Sequence, residues 1–435
     1  MLLIYVKKST SRIKYCFNLV FNEMLGVDYM ITTDANEFLN YRNAKISYAR
    51  QPVQDELFFS SSSLLFETGI INQDIKVAVH DGVKVLFPSR IQAALPFDPF
   101  AAVFYMVSRY EEYQPYIKDE FGRFDAKESI AYKHGFLQKP VVNLWVEMVK
   151  KLIQSRFPDF HFPQKKFKFI PTIDVDNAYA YLHKGIVRTI GGIAKSLVHF
   201  NFREIGERIR VLLKVETDPY DSYEFLFNIH EKYNLDALFF ILFADYSVYD
   251  KNVPIQNKSF KSLIKSIADN AEIGIHPSFA SFEKHEKLKK ELLHLSSVVN
   301  KEIKNSRQHF LRLGMPGTYR KLIDLDILND YTMGYAVQPG FRAGICSSFL
   351  FYDLDQEEET KLRVHPFMFM DGTIRKYLKL KPSEAMSAIV PLIDEVKAVN
   401  GTFISLWHNE SLGTSALWKD WFKVYENMIS YIAKL

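Results

Sequence analysis

The stretch FKFIPTIDVDNAYAYLHKG, residues 167–185, decides how the second half of the chain is read. A largely apolar run from Phe167 to Ile173 has the composition of an interior strand. It ends on two aspartates, Asp174 and Asp176, with one valine between them. Carboxylates are seldom buried without a partner. Two of them closing an interior strand call for a cation or a chemical task. Asp176 before Asn177 also suits a helix cap, so the pair alone leaves both readings open.

Working outward, the chain after Phe167 alternates strand, loop and helix. FKFIPTID, DALFFILFA, EIGIH, HFLRL, KLRVH and TFISLWH read as strands. DSYEFLFNIHEKYN, KSFKSLIKSIADN, the Lys/Glu-rich run after Phe282 and SEAMSAIVPLIDEVKAVN read as helices between them. Such alternation predicts parallel strands with helical crossovers. The fold class is therefore α/β, with a (β/α) barrel of about seven units over residues 166–435.

Residues 1–165 read as a smaller mixed α/β domain. IKVAVHDGVKVLF is a hairpin turning on Asp81-Gly82. FDPFAAVFYMVSRYEEYQPY is a helix expected to stop at Pro115, and PVVNLWVEMVKKLIQSRF is a second helix. The two prolines and charge cluster of PDFHFPQKKF mark the boundary. A length of 435 residues suits two domains.

Composition narrows the function classes. A net charge of +4 is too mild to indicate nucleic acid. Two distant cysteines, Cys16 and Cys346, make neither a disulfide framework nor a thiolate metal site. The N-terminal apolar run is short for a signal peptide and no window reads as a membrane span, so a cytoplasmic protein is expected. Glycine loops for dinucleotides and phosphates are absent, IGGIAK being a weak imitation that follows no strand.

The polar residues that close the strands form a pattern. Asp174 and Asp176 end the first, His276 ends EIGIH, His365 ends KLRVH, and His408 ends TFISLWH; Arg312 lies in HFLRL. In a parallel barrel these ends share one face, where active sites are built. Acids and histidines there make a metal or acid–base constellation by type. Taken singly, His276 before Pro277 is an ordinary turn histidine and Arg312 an ordinary ion-pair partner; joint placement is what favours function.

The motifs TIDVDNA, EIGIHPS, LRLGMPGTYR and FISLWHN resemble, in order and strand context, those of the polysaccharide deacetylase (NodB-homology) family, in the variant whose first motif is Asp-x-Asp. The resemblance covers residues 167–435. DPFAAVFYMVSRYEEY and DEFGRF are similar to an N-terminal domain of uncertain role found before some bacterial deacetylase-like domains. The resemblance implies a metal-dependent hydrolase that removes acetyl groups from N-acetylated carbohydrate. It implies Asp174 as general base, Asp176 and His276 as ligands to zinc, cobalt or nickel, and Arg312 as the residue orienting the base. It also implies His408 as general acid, with Leu406 lining the acetyl pocket.

The sequence departs from the family in two places. The usual His-[Ser/Thr]-x-x-His would put a second histidine at position 280, which is Ala280. Catalytic zinc normally keeps three protein ligands, so His309 is the expected substitute. His285 and His230 sit in helical runs and read as structural. RLGMPGTYR also replaces the usual Arg-Pro-Pro. Its Tyr319, with Trp407 and with Tyr335 and Arg342 of the aromatic, glycine-rich segment that follows, is expected to contact substrate. Two other classes stay open: a carbohydrate-binding protein that has lost the metal, and an amidohydrolase acting on a small non-sugar amide.

Overall fold

A computed structural model describes residues 1–435. Its first sheet has four parallel strands, β1 (Leu2–Val6), β2 (Tyr29–Thr32), β3 (Lys45–Ala49) and β4 (Leu57–Ser60), in the order β2-β1-β3-β4. The expected hairpin follows as β5 (Val77–His80) and β6 (Val83–Leu86). Asp81 and Gly82 take φ of 47° and 76°, the two positive values that a tight two-residue turn needs.

Both expected helices form here, over Pro99–Val107 and Val141–Arg156. Asp98 caps the first through hydrogen bonds from the Phe100 and Ala101 amides, and Pro99 occupies the first turn, where its missing N–H costs nothing. The helix stops well before Pro115. Arg109 turns left-handed at φ 54°, and a short 3₁₀ turn, Tyr110–Tyr113, follows. This break brings the buried Arg109 guanidinium back onto Glu111 and Glu112.

The second sheet has nine strands: β7 (Lys168–Val175), β8 (Leu238–Ile241), β9 (Glu272–Ile275), β10 (Asn305–Ser306), β11 (Asn329–Asp330), β12 (Phe349–Asp353), β13 (Glu358–Val364), β14 (Phe369–Met370) and β15 (Thr402–His408). Their order is β12-β13-β11-β10-β9-β8-β7-β15-β14, and every pair is parallel except β12 with β13. Helices such as Tyr223–Lys232, Lys258–Asn270, His285–Val299 and Pro382–Ala398 make the crossovers, as the periodicity predicts. The parallel α/β architecture is thus present, but hydrogen bonding does not close it into a ring. The edges are a two-residue strand, β14, and an antiparallel one, β12, and they do not pair with each other.

HFLRL is not a strand. The strand ends at Ser306, and His309–Leu311 is a 3₁₀ turn with Phe310 at φ 58°. Gly274 on β9 is required by close approach: an added Cβ would lie 2.5 Å from the Phe240 ring of β8. Buried side chains of both sheets form one continuous core. The Tyr15 ring packs at a tilt on Tyr352 at 4.9 Å, and buried Arg12 donates to Glu357 from across the chain. Two helices in the β7-to-β8 connection, Ile186–Val198 and Phe202–Leu212, have no counterpart among the expected elements.

Candidate functional site

The carboxyl ends of β7, β9, β14 and β15 and the loop after β10 surround one pocket of about 180 Å³. Side chains alternate across a strand with a period of two. The Asp-x-Asp spacing therefore sends Asp174 and Asp176 to the same side and Val175 into the core. Register sets the opposite wall: His408 of β15 pairs with Asp174 of β7.

Asp174 is 2% exposed, and its Oδ1 accepts from Arg307 Nη1 at 2.8 Å. Arg307, the residue after β10, is fully buried, and Nη1 also donates to Thr172 Oγ1 while Nε donates to the Tyr331 carbonyl. Its guanidinium lies 4.5 Å from the centre of the Phe240 ring. The base-position carboxylate is thus held by a group that is itself fixed on several sides.

His276 Nδ1 is 2.5 Å from the Arg307 carbonyl, so Nδ1–H donates there and Nε2 is left facing the aspartates. Nε2 is 3.2 Å from Asp176 Oδ1 and 3.7 Å from Asp174 Oδ2. His309 repeats the arrangement: Nδ1 lies 2.9 Å from Asp250 Oδ1, and Nε2 is 3.6 Å from Asp176 Oδ2. Ligand atoms of Asp176, His276 and His309 all lie within 4.8 Å of one another. Each ring nitrogen turned away from the cluster is taken by a carbonyl or carboxylate, the outer-shell pattern of metal-binding histidines. Asp176 Oδ1 is buried and, despite its closeness to His276, has no partner in hydrogen-bonding geometry.

His408 closes the far side. Asp371 accepts from its Nδ1 at 2.8 Å and from its backbone N–H at 2.9 Å, leaving Nε2 directed at the pocket, 3.6 Å from Asp176 Oδ2. Burial disfavours charge on both His309 and His408. Asp176 and Asp250 around the first, and Asp371, Asp176 and Asp174 around the second, outweigh it and raise them to about 9 and about 10. Burial likewise opposes charge on Asp176, yet the neighbouring His309, His276 and His408 hold it well below the usual carboxylate range.

The structure brings together Asp174, Asp176, His276, His309, His408 and Leu406. Five other candidates lie elsewhere. Arg312 does not reach Asp174; it donates to the Phe121 and Phe279 carbonyls and lies between the Phe279 and Phe282 rings. Arg307 makes the contact expected of it. Trp407 falls on the opposite side of β15 from Leu406, packed on Phe369 and Tyr425. Trp418 lines the pocket instead. Tyr319 is buried against Phe351. Arg342 is locked to Glu112 by two hydrogen bonds, and Tyr335 is buried beside Arg109. His365 stacks on Tyr331 at 4.4 Å and His230 bonds the Tyr425 hydroxyl, both away from the pocket.

Arg307, Asp371 and Asp250 escaped the sequence reading. Asp371 carried the same signal as the others, a polar residue directly after a strand, but β14 is only two residues long. Asp250 sits in a loop well past β8, where no pattern points to it. Phe121 and Arg123, from DEFGRF in the first part of the chain, also line the pocket, and Arg123 donates to the Phe310 carbonyl.

Residues 2–158 match a family of unknown function, DUF7033. No curated protein sequence matches the chain. Solved structures that align with it include a Mycobacterium smegmatis protein assigned as a polysaccharide deacetylase, at 15% identity over 63% of this chain and 92% of that one, with a TM-score of 0.37. The polysaccharide deacetylase Bc1974 from Bacillus cereus aligns at 12% identity, 62% and 88% coverage and a TM-score of 0.30. BA3943 from Bacillus anthracis, a CE4 family pseudoenzyme, aligns at 13% identity, 62% of both chains and a TM-score of 0.28. Scores this low assign no role to any residue of this chain.

Proposed function

We propose that the chain is a metal-dependent hydrolase that removes N-acetyl groups from a carbohydrate. The observation that carries this reading is the Asp176–His276–His309 cluster, whose three donors meet beside a separately held carboxylate, Asp174, and a separately held imidazole, His408. The donor set fits a divalent ion such as zinc, with cobalt or nickel as alternatives. The partnerless buried oxygen of Asp176 is one an ion would satisfy. His309 supplies the third ligand that Ala280 cannot. A bound ion would polarise the amide carbonyl and make a water acidic enough to lose its proton near neutral pH.

The remaining work falls to the chain itself. Asp174 takes the proton from the attacking water, and Arg307 fixes that carboxylate in place. His408 delivers a proton from Nε2 to the departing amine nitrogen, while Asp371 on Nδ1 fixes the ring. Leu406 and Trp418 give the acetyl group and sugar an apolar wall. Residues 166–435 then act as the hydrolase unit, and residues 1–165 contribute Phe121 and Arg123 to its rim.

Elemental analysis of protein purified without added metal tests the centre directly. About one zinc, cobalt or nickel ion per chain is expected, lost in both Asp176→Ala and His309→Ala. The loaded parent is expected to release acetate from an N-acetylated sugar. A parent that arrives metal-free and fails to take up zinc on titration would turn the reading to a carbohydrate-binding protein.

A further inference from the structure

Two of the three helices between β7 and β8, Ile186–Val198 and Phe202–Leu212, turn most of their apolar side chains outward. An amphipathic helix on a globular protein normally turns its apolar stripe to the core. In the Ile186–Val198 helix, Ile186, Val187, Ile190, Leu197 and Val198 are exposed, and the residue it buries is Ser196. In the Phe202–Leu212 helix, Val211 and Arg208 are buried, Arg208 bonded to Glu204 and lying over Tyr181, while Phe202, Ile209 and Leu212 stay exposed. Phe200 and Phe202 stand at the connecting turn, 79% and 65% exposed, and Leu213 and Val215 continue the surface at 70% each. A contiguous apolar face of this kind marks an interaction site.

Charge selects the occupant. Residues 184–215 hold seven Lys and Arg against two Glu, a net of +5, where the whole chain carries +4. Lys195, Arg203 and Lys214 are exposed and enter no ion pair. Beneath the hairpin, a groove lined by five cations, Lys184, Arg188, Arg203, Arg208 and Lys251, against two carboxylates, Glu204 and Glu207, has room and net positive charge for an anionic headgroup. A second copy would set the same positive charge against itself. No helix is long and apolar enough to cross a membrane, so these would lie along its surface. We propose that the hairpin of residues 186–212 docks the protein on an anionic lipid bilayer, apolar side chains in the acyl boundary and cations among the headgroups.

Co-sedimentation with vesicles tests this. The parent is expected to pellet with phosphatidylcholine–phosphatidylglycerol vesicles, to be released by high salt, and to ignore pure phosphatidylcholine. Leu197→Glu with Leu213→Glu should lower partitioning by about two orders of magnitude. Arg203→Gln with Lys214→Gln should lower it at least about tenfold. All four residues are exposed, so unchanged thermal unfolding would show that the variants fold. A parent that stays in solution with mixed vesicles would overturn the proposal, as would equal binding to neutral ones. So would a parent dimer in light scattering that Leu197→Glu with Leu213→Glu dissolves without any vesicle binding, since the face would then belong to a second copy.

Discussion

Two clusters of buried acids and bases lie in this molecule, and they are put together on opposite principles. At the junction where the first part of the chain meets the second, Arg109, Glu111, Glu112 and Arg342 balance charge for charge. Glu112 Oε1 accepts from Arg109 at 2.8 Å and Arg342 at 2.9 Å, its Oε2 accepts from Arg342 at 2.7 Å, Glu111 accepts from Arg109 Nη2, and the Met106 carbonyl accepts from Arg109 Nη1. Burial opposes the Glu112 charge, but both guanidiniums hold it below the usual carboxylate range. Around the pocket, Asp174 is held by Arg307, His309 by Asp250 and His408 by Asp371, while Asp176 lies between the three imidazoles. The junction is finished without outside help. The pocket keeps an unpartnered buried oxygen on Asp176, and that second kind of cluster calls for something the chain does not contain.

The largest expected effect would break the comparison at the pocket. Asp174→Asn preserves shape and an acceptor for Arg307 but removes the proposed base, so turnover should fall by about 10²–10⁴-fold with metal content unchanged. Steady-state rates and elemental analysis on one preparation check this. Undiminished turnover would remove Asp174 from the proposed chemistry.

At the junction the same kind of exchange should act on stability instead. Glu112→Gln leaves the buried Arg342 guanidinium without its carboxylate while Arg109 keeps Glu111, and a broken buried pair costs about 3–5 kcal/mol. Urea unfolding should register that loss, while the activity of molecules that remain folded stays near the parent value. A Glu112→Gln protein as stable as the parent would mean that water or another acceptor reaches the junction.

A smaller effect separates both clusters from their neutral neighbours. Burial lowers His230 and His365 to about 4. Below the unfolded value near 6.5 the unfolded chain binds the proton that the folded chain refuses, so stability falls as pH drops from about 6.5 to about 4. Each ring contributes on the order of 3 kcal/mol to this loss. His365→Gln in chelator-treated protein should lose less stability between neutral pH and mildly acid pH than the parent does. An identical acid dependence would show that His365 titrates freely.

Much of the pocket was legible because strand ends announce themselves. The run before Asp174, the Asp-x-Asp spacing, and histidines closing EIGIH and TFISLWH are local signals, and a parallel sheet converts them into neighbours. The junction was not legible. Arg342 sits in an aromatic, glycine-rich segment that reads as a binding loop, and nothing near it reveals Glu112, 230 positions earlier. The closed ring failed for a related reason: helical alternation predicts parallel strands but carries no information on whether the outermost two meet. The Ile186–Val198 and Phe202–Leu212 helices went unread because their apolar stripes do not serve the core that pattern reading looks for.

The finest distinction is between Arg307 and Arg312, which stand at opposite ends of one short loop. The motif resemblance points to Arg312 because it precedes LGMPG, whereas the strand actually ends at Ser306 and Phe310 turns left-handed, which leaves Arg307 behind Asp174 and carries Arg312 out to the rings of Phe279 and Phe282. Lysine keeps the charge but not the planar fork. Arg307→Lys should therefore lower kcat/KM by about 10²-fold through a misplaced base. Arg312→Lys should cost about 1 kcal/mol of stability from weakened stacking, with kcat/KM within a few-fold of the parent. The reverse ranking would mean that the loop re-forms when substrate binds and that Arg312, not Arg307, supports Asp174 in the proposed hydrolase.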